Sequence, residues 1–228
     1  MQFAVFDLDH TLLPIDSGDA WTHFIIGHTG SDRDSLSAKA VAINEAYRRG
    51  DFDAEDAVRF QMGLLARFAP DELTRLRDTF IRTVVEPQIR NEALALVNSR
   101  RRAGFTPILA SGTHRFVTSA VARLFNIDIL IAATPEVDQE GRFTGRVVGS
   151  HSYKDGKRVL LEAYLEPFFS RGPVDLEAYS DSINDLPMLL WVESRGGRPV
   201  AVNADASLAA EAIRHGWQSI ELFAAGGH

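Results

Sequence analysis

The chain has 228 residues, with 24 Lys and Arg against 31 Asp and Glu. The net charge of -7 and a single short basic run, Arg100-Arg101-Arg102 before Gly104, argue against a nucleic-acid backbone reader, which needs a basic stripe. The absence of cysteine rules out disulfides, thiolate zinc sites and cysteine nucleophiles. An apolar share of 45% without any run of 18 apolar residues points to a globular chain, one domain or one domain with an insertion. It is expected in the cytoplasm, with no membrane partner and no leader ahead of its first strand.

In chain order, Phe3 to Phe6 is a short apolar run that predicts a buried parallel strand. Asp7-Leu8-Asp9-His10-Thr11-Leu12-Leu13 follows it. From 17 to 85 the pattern is helical throughout. Helices are expected over 19–28, 35–49 (broken by Gly50-Asp51) and 54–68 with Asp53 as N-cap. A fourth opens at Pro70 and carries an apolar stripe of Leu73, Leu76, Phe80 and Ile81. An all-helical block of this length inside an α/β pattern reads as an inserted cap over an active site.

From Pro87 strands and helices alternate again. Helix 91–102, strand 105–110, helix 115–125 and strand 127–132 precede a hairpin over 136–148. Then come helix 157–168, strand 174–179, helix 188–193, strand 198–202, helix 206–215 and strand 219–223, with a frayed tail from Ala224. The predicted class is α/β.

Polar residues collect at the ends of these strands. Asp7, Asp9 and Thr11 follow the first, Ser111-Gly112-Thr113 the second, and Asp181 and Asp185 a later one, while Lys157 opens a helix. In a parallel sheet these positions share one edge, where ligands bind. Asp7 and Asp9, two apart on an extended chain, face the same side, and their combined charge calls for a hard cation such as Mg2+. A carboxylate can attack phosphorus, a second can move protons, and a lysine and an N–H nest can hold phosphate. Singly, each reads as a solvated strand end, a cap or a surface lysine. Their ordered coincidence is what points to phosphoryl transfer.

Asp7-Leu8-Asp9-His10-Thr11-Leu12, Ser111-Gly112-Thr113, Lys157 and Asp181-Ser182-Ile183-Asn184-Asp185 resemble, in order, the four motifs of the haloacid dehalogenase (HAD) superfamily. The stretch from Tyr179 to Asn203 is similar to subfamily IB, the phosphoserine phosphatase-like hydrolases. The resemblance implies a Rossmann-like three-layer core with parallel strand order 3-2-1-4-5 and an inserted helical C1-type cap. It implies a core of 1–15 and 86–228 and a cap of 16–85. Asp7 is then the nucleophile, Asp9 the general acid/base, Ser111 and Lys157 the holders of the phosphoryl group, and Thr11 the support of the Asp9 loop at the substrate end. Mg2+ would be held by Asp7, the Asp9 carbonyl and Asp181, with Asp185 as ligand or neighbour. Lys154 competes with Lys157; the helix pattern after Lys157 favours the latter.

The implied reaction is hydrolysis of a small phosphorylated metabolite through an aspartyl-phosphate. Asp16 falls where relatives face the substrate amine, although it also suits an N-cap, and Phe52 and Arg59 are the matching cap residues. Gly112 and Thr113 would complete the phosphate nest. This set permits phosphoserine or histidinol phosphate. A phosphotransferase or mutase, or a non-enzymatic phosphate-binding protein, are the alternatives. Oligomeric state is left open.

Overall fold

The computed structural model describes residues 1–49, 51 and 53–223, with Arg48 described by its backbone alone. The expectations about Gly50, Phe52 and the tail from Ala224 therefore lie outside the described residues.

Strand β1 (Gln2–Phe6) is central because both of its faces are apolar. Ala4 and Phe6 enter one buried cluster, Phe3 and Val5 the other. Such a strand must be covered on both sides, and helices cover it. On the Ala4/Phe6 side lie α5 (Asn91–Arg102) and α6 (Arg115–Leu124), through Ala93, Val97, Val117 and Val121. On the other lie α7 (Asp155–Phe169), α8 (Leu186–Ser194) and α9 (Ala206–His215), through Leu161, Leu165, Met188, Leu189, Leu208 and Ala212.

The described residues form one parallel sheet of six strands in the order β3-β2-β1-β6-β7-β8. Its members after β1 are β2 (Thr106–Ala110), β3 (Ile129–Ile131), β6 (Asp175–Ser180), β7 (Arg198–Val202) and β8 (Gln218–Ile220). Counted as core strands alone, this is the expected 3-2-1-4-5 arrangement with β8 added at the edge. Phe6 pairs with Leu109 of β2 and with Tyr179 of β6. The strand ends at Asp7, Ser111 and Asp181 are thereby brought level, as the crevice rule for open α/β sheets requires. The hairpin of β4 (Thr134–Val137) and β5 (Phe143–Val148) stands apart as a two-stranded sheet.

Between β1 and α5 come α1 (Ser17–Ile26), α2 (Arg33–Arg49), α3 (Ala54–Leu65) and α4 (Pro70–Phe80). Asp53 caps α3 through the N–H groups of Glu55 and Asp56, and Pro70 opens α4. Helix α4 does not stop at Phe80 but widens into a π turn, Ile81–Val85, before α5. Trp21, 2% exposed, stacks with Phe24 and meets Phe80 and Phe116 edge-on or tilted; Phe116 in turn meets Phe143 of β5. This aromatic chain ties the helical block to the sheet layer and to the hairpin, and each ring pair adds roughly 1 kcal/mol beyond area burial.

Candidate active site

Every strand of the sheet runs parallel, so the loops after β1, β2, β6 and β7 open on one edge. A cavity of about 330 Å³ lies there. That volume suits a small ligand.

Asp7 extends the β1 ladder by one bond, its N–H donating to the Tyr179 carbonyl at 2.9 Å. Its carboxylate is buried; Oδ1 accepts from Lys157 Nζ at 2.7 Å. Lys157 Nζ also donates to Asp185 Oδ2 at 2.7 Å. Burial alone would lower the pKa of this ammonium. Asp185 and Asp7 outweigh burial and hold it above the ordinary lysine range, so it stays charged. Helix α7 begins at Asp155, earlier than predicted, so Lys157 lies in its first turn and reaches Asp7. Lys154, left-handed at φ 47°, lines the cavity instead.

Thr11 is fully buried, its Oγ1 2.9 Å from Asp181 Oδ1 and 3.3 Å from Asp7 Oδ2. It joins two carboxylates and does not line the cavity, whereas the resemblance places it at the substrate end. Burial and the charge of Asp7 push Asp181 up to about 9. Two carboxylates so close, with Lys157 shared between Asp7 and Asp185, leave negative charge that the side chains do not balance. No cluster of three His, Cys, Asp or Glu side chains able to hold a metal exists among the described residues. The carboxylates of Asp7 and Asp181, joined through Thr11, nevertheless fit Mg2+, which takes few protein ligands and completes its shell with water and phosphate oxygens. Asp185 fits a different task from that of a ligand: its Oδ2 accepts from both Lys157 and Ser180 Oγ.

Asp9 is held from two sides. Oδ1 accepts from the Ser17 N–H at 2.8 Å and Oδ2 from Thr113 Oγ1 at 3.0 Å. Burial, then the charges of Asp16 and Asp7, push its pKa up to about 8. A carboxyl that keeps its proton at neutral pH is what a general acid needs. Gly18 makes this packing possible, because a Cβ there would fall 2.6 Å from Thr113 Oγ1. Sequence reasoning missed Ser17 and Gly18; neither carries a signal beyond that of a helix start.

Gly112 and Thr113 line the cavity. Ser111 is fully buried and accepts the Thr113 N–H at 3.1 Å, so that N–H faces Ser111 and not an anion nest. His114 opens α6 and is 2% exposed, and its Nδ1 has no hydrogen-bond partner among the described residues. Burial lowers its pKa to about 4. The unfolded chain regains the ordinary value, so it takes up the proton first as pH falls. The stabilising contribution is therefore complete above about pH 6.5 and declines toward pH 4, by up to about 3 kcal/mol. His114→Phe should flatten the melting temperature between pH 6.5 and 4 relative to the parent. An equally steep acid limb in the variant would reject this origin.

The cap residues divide. Asp16 lines the cavity and also caps α1, its Oδ1 accepting from the Asp19 N–H at 2.7 Å. Phe52 lies outside the described residues. Arg59 is exposed and sits on a separate groove with Val58, Met62 and Arg146, so its expected position at the substrate is corrected. Helix phase is the reason: Ala57, Phe60 and Gln61 turn toward the cavity, and Arg59 lies two residues from Ala57, on the other side of α3. Sequence reading missed Asp19, Asn44, Tyr47, Gln61 and Tyr153, which line the cavity. Asn44 Nδ2 donates to Asp19, and Asn184 Nδ2 to the Tyr47 hydroxyl.

The family model for haloacid dehalogenase-like hydrolases matches residues 4–190, a stretch that holds all four strand-end motifs. The chain belongs to this family. It is an enzyme, a hydrolase of phosphate monoesters built on the family's α/β core. A histidinol-phosphatase from Neisseria meningitidis serogroup C (strain 8013) is 35% identical over 218 residues, 94% of this chain and 96% of that protein. A protein of unknown function from Bordetella pertussis Tohama I superposes with a TM-score of 0.88 at 36% identity, covering 97% and 99% of the two chains. A substrate-bound phosphoserine phosphatase superposes with a TM-score of 0.62 at 17% identity over 92% and 89%, a likeness of fold. No helix among the described residues is long and apolar enough to cross a membrane.

Proposed function

We propose that this HAD hydrolase cleaves a small amine-bearing phosphomonoester, histidinol phosphate before phosphoserine, through a phosphoryl group carried on Asp7. The observation that carries the substrate reading is the wall of the cavity. Asp16 and Asp19 lie on it, and no arginine lines it among the described residues. Carboxylates favour a cationic amine, and a substrate carboxylate would find no bidentate partner there. Ala40, Ile43, Ala57 and Phe60 add an apolar side suited to a flat ring. The resemblance to the Neisseria histidinol-phosphatase, nearly end to end, supports the same choice. Lys154 on the cavity wall is the observation that favours phosphoserine, since it offers a single cation to a carboxylate.

The chemistry follows from the placement of the side chains. An oxygen of the Asp7 carboxylate attacks phosphorus while the ester P–O bond breaks. Asp9, protonated, gives its proton to the departing alcohol oxygen. The resulting Asp9 carboxylate then takes a proton from water, which attacks the same phosphorus; the P–O bond to Asp7 breaks and phosphate leaves. Lys157 Nζ, 2.7 Å from Asp7 Oδ1, orients the carboxylate for attack. Asp7, Asp181 and the backbone carbonyl of Asp9 would hold Mg2+, which would supply positive charge against the phosphoryl oxygens. Helices α1–α3 with the β4–β5 hairpin act as the cap that limits water during transfer.

The test is phosphate release with Mg2+ from histidinol phosphate, phosphoserine and an amine-free alkyl phosphate, for the parent and Asp16→Asn. Asn keeps the helix cap, so folding is preserved. The expected result is the highest kcat/KM on histidinol phosphate, with the variant losing about tenfold or more on the two amine esters and little on the third. Equal losses on all three would return Asp16 to capping alone. A higher kcat/KM on phosphoserine would reverse the order of substrates.

A further inference from the structure

Two non-glycine residues with left-handed backbones meet at the site: His10 at φ 58° and Asn203 at φ 46°. They are joined directly. Asn203 Nδ2 donates to the His10 carbonyl at 2.9 Å. The same side chain's Oδ1 accepts from the Leu222 N–H at 2.7 Å and the Phe223 N–H at 3.3 Å. One amide thus fastens the turn after β1 to the segment after β8, across 193 positions of sequence. Two residues on, Asp205 holds the acidic loop. Its N–H donates to the Asp181 carbonyl at 2.8 Å, and its Oδ2 accepts from the Ile183 N–H at 2.9 Å. The loop between β7 and α9 therefore grips both turns that carry the site's carboxylates, without lining the cavity itself.

We propose that Asn203 is a positioning residue for the phosphatase reaction, fixing the His10 turn so that the adjacent Asp9 is aimed at the leaving oxygen. A left-handed residue other than glycine persists where its surroundings hold it. At His10 the polar hold from outside the turn is the Asn203 amide. Asp205 is the poorer residue to test, because its Oδ1 also caps α9 through the Leu208 N–H, and its loss would disturb the helix. The inference rests on the reading of Asp9 as the acid that protonates the leaving alcohol.

That dependence supplies the experiment. A general acid matters for a poor leaving group, such as the alcohol of histidinol phosphate, and little for p-nitrophenolate, which departs without a proton. The ratio of kcat/KM on histidinol phosphate to kcat/KM on p-nitrophenyl phosphate, which stops at leaving-group departure and excludes the shared hydrolysis of the aspartyl-phosphate, therefore reports how well Asp9 is aimed. Asn203→Asp tolerates a left-handed backbone and keeps an acceptor for Leu222 and Phe223, but it loses the donor to His10. Asn203→Gly keeps the backbone freedom and removes the whole amide. Asp9→Asn serves as the reference. The expected result is a ratio lowered by about tenfold or more in each Asn203 variant, with circular dichroism and kcat/KM for p-nitrophenyl phosphate close to the parent. If Asp9→Asn lowers the ratio and folded Asn203 variants do not, Asn203 is a structural residue and the proposal is overturned. If Asp9→Asn itself leaves the ratio unchanged, the acid assignment fails first and the proposal with it. A loss spread equally over both substrates in the variants would also overturn it, since a general loosening of the fold has no preference among leaving groups.

Discussion

Asp7→Asn is expected to lower turnover by about 10⁴-fold or more while leaving the apo protein as stable as the parent or more so. The activity half follows from chemistry: an amide oxygen is a poor nucleophile, and no other carboxylate is held by Lys157 at the head of β1. Asp185 shares the same ammonium but also accepts from Ser180, and it belongs to the acidic loop after β6. The stability half follows from electrostatics. Asp7 raises the pKa of both Asp9 and Asp181, which means its charge is paid for in the folded state by repulsion. An Asn at this position still accepts from Lys157 and no longer repels its neighbours. Thermal melts without and with Mg2+ check this: the variant should melt no lower than the parent in EDTA and should gain less from Mg2+. A large fall in EDTA would mean that the Asp7 charge stabilises the fold, and the strained-site account would be wrong.

Lys157→Met should be the most destabilising single change at the site. The side chain is 4% exposed and holds two buried carboxylates at 2.7 Å each. Removing one partner of a buried ion pair leaves charge without compensation, a loss of about 3–5 kcal/mol, together with most of the activity. Asp185→Asn gives a sharper check. In the parent it should cost stability, because Lys157 loses a charged partner that repels the other carboxylates less than Asp7 does, adding least to the raised pKa of Asp181 and nothing to that of Asp9. In the Lys157→Met background it should restore stability, because an orphaned carboxylate is removed. The double-mutant cycle should therefore show strong coupling in denaturant melts. Additive losses would show that Lys157 and Asp185 act independently, against the observed contact.

Much of this site was legible in the sequence because its parts obey local rules. Phe3 to Phe6 could only be a doubly covered strand, and the carboxylates that follow had to emerge at its carboxyl end. The parallel alternation after Pro87 then placed Ser111 and Asp181 beside them, and a lysine at the start of α7 fell within reach. What stayed hidden depends on phase or on distant pairing. Arg59 and Gln61 are both polar residues on α3; which of them faces the cavity is decided by a rotation that the apolar stripe of Ala57 and Phe60 indicates but a motif match ignores. Asp19 opens a predicted helix, Tyr47 falls on an apolar stripe and Asn44 belongs to no motif, and nothing local announces that they meet around one cavity. Strand β8 starts one residue earlier than its pattern suggests and is only Gln218–Ile220. The grip of Asn203 on His10 spans almost the whole chain, and no local pattern encodes it.

The central claim is that Asp7 carries the phosphoryl group. The most direct measurement is a single turnover with 32P-labelled substrate ester and Mg2+, quenched in acid and followed by peptide mapping. Acid-stable, base-labile label is expected on the peptide containing Asp7, formed within one turnover and absent in EDTA. Rapid turnover with no label on the protein, or label at any other residue, would contradict it.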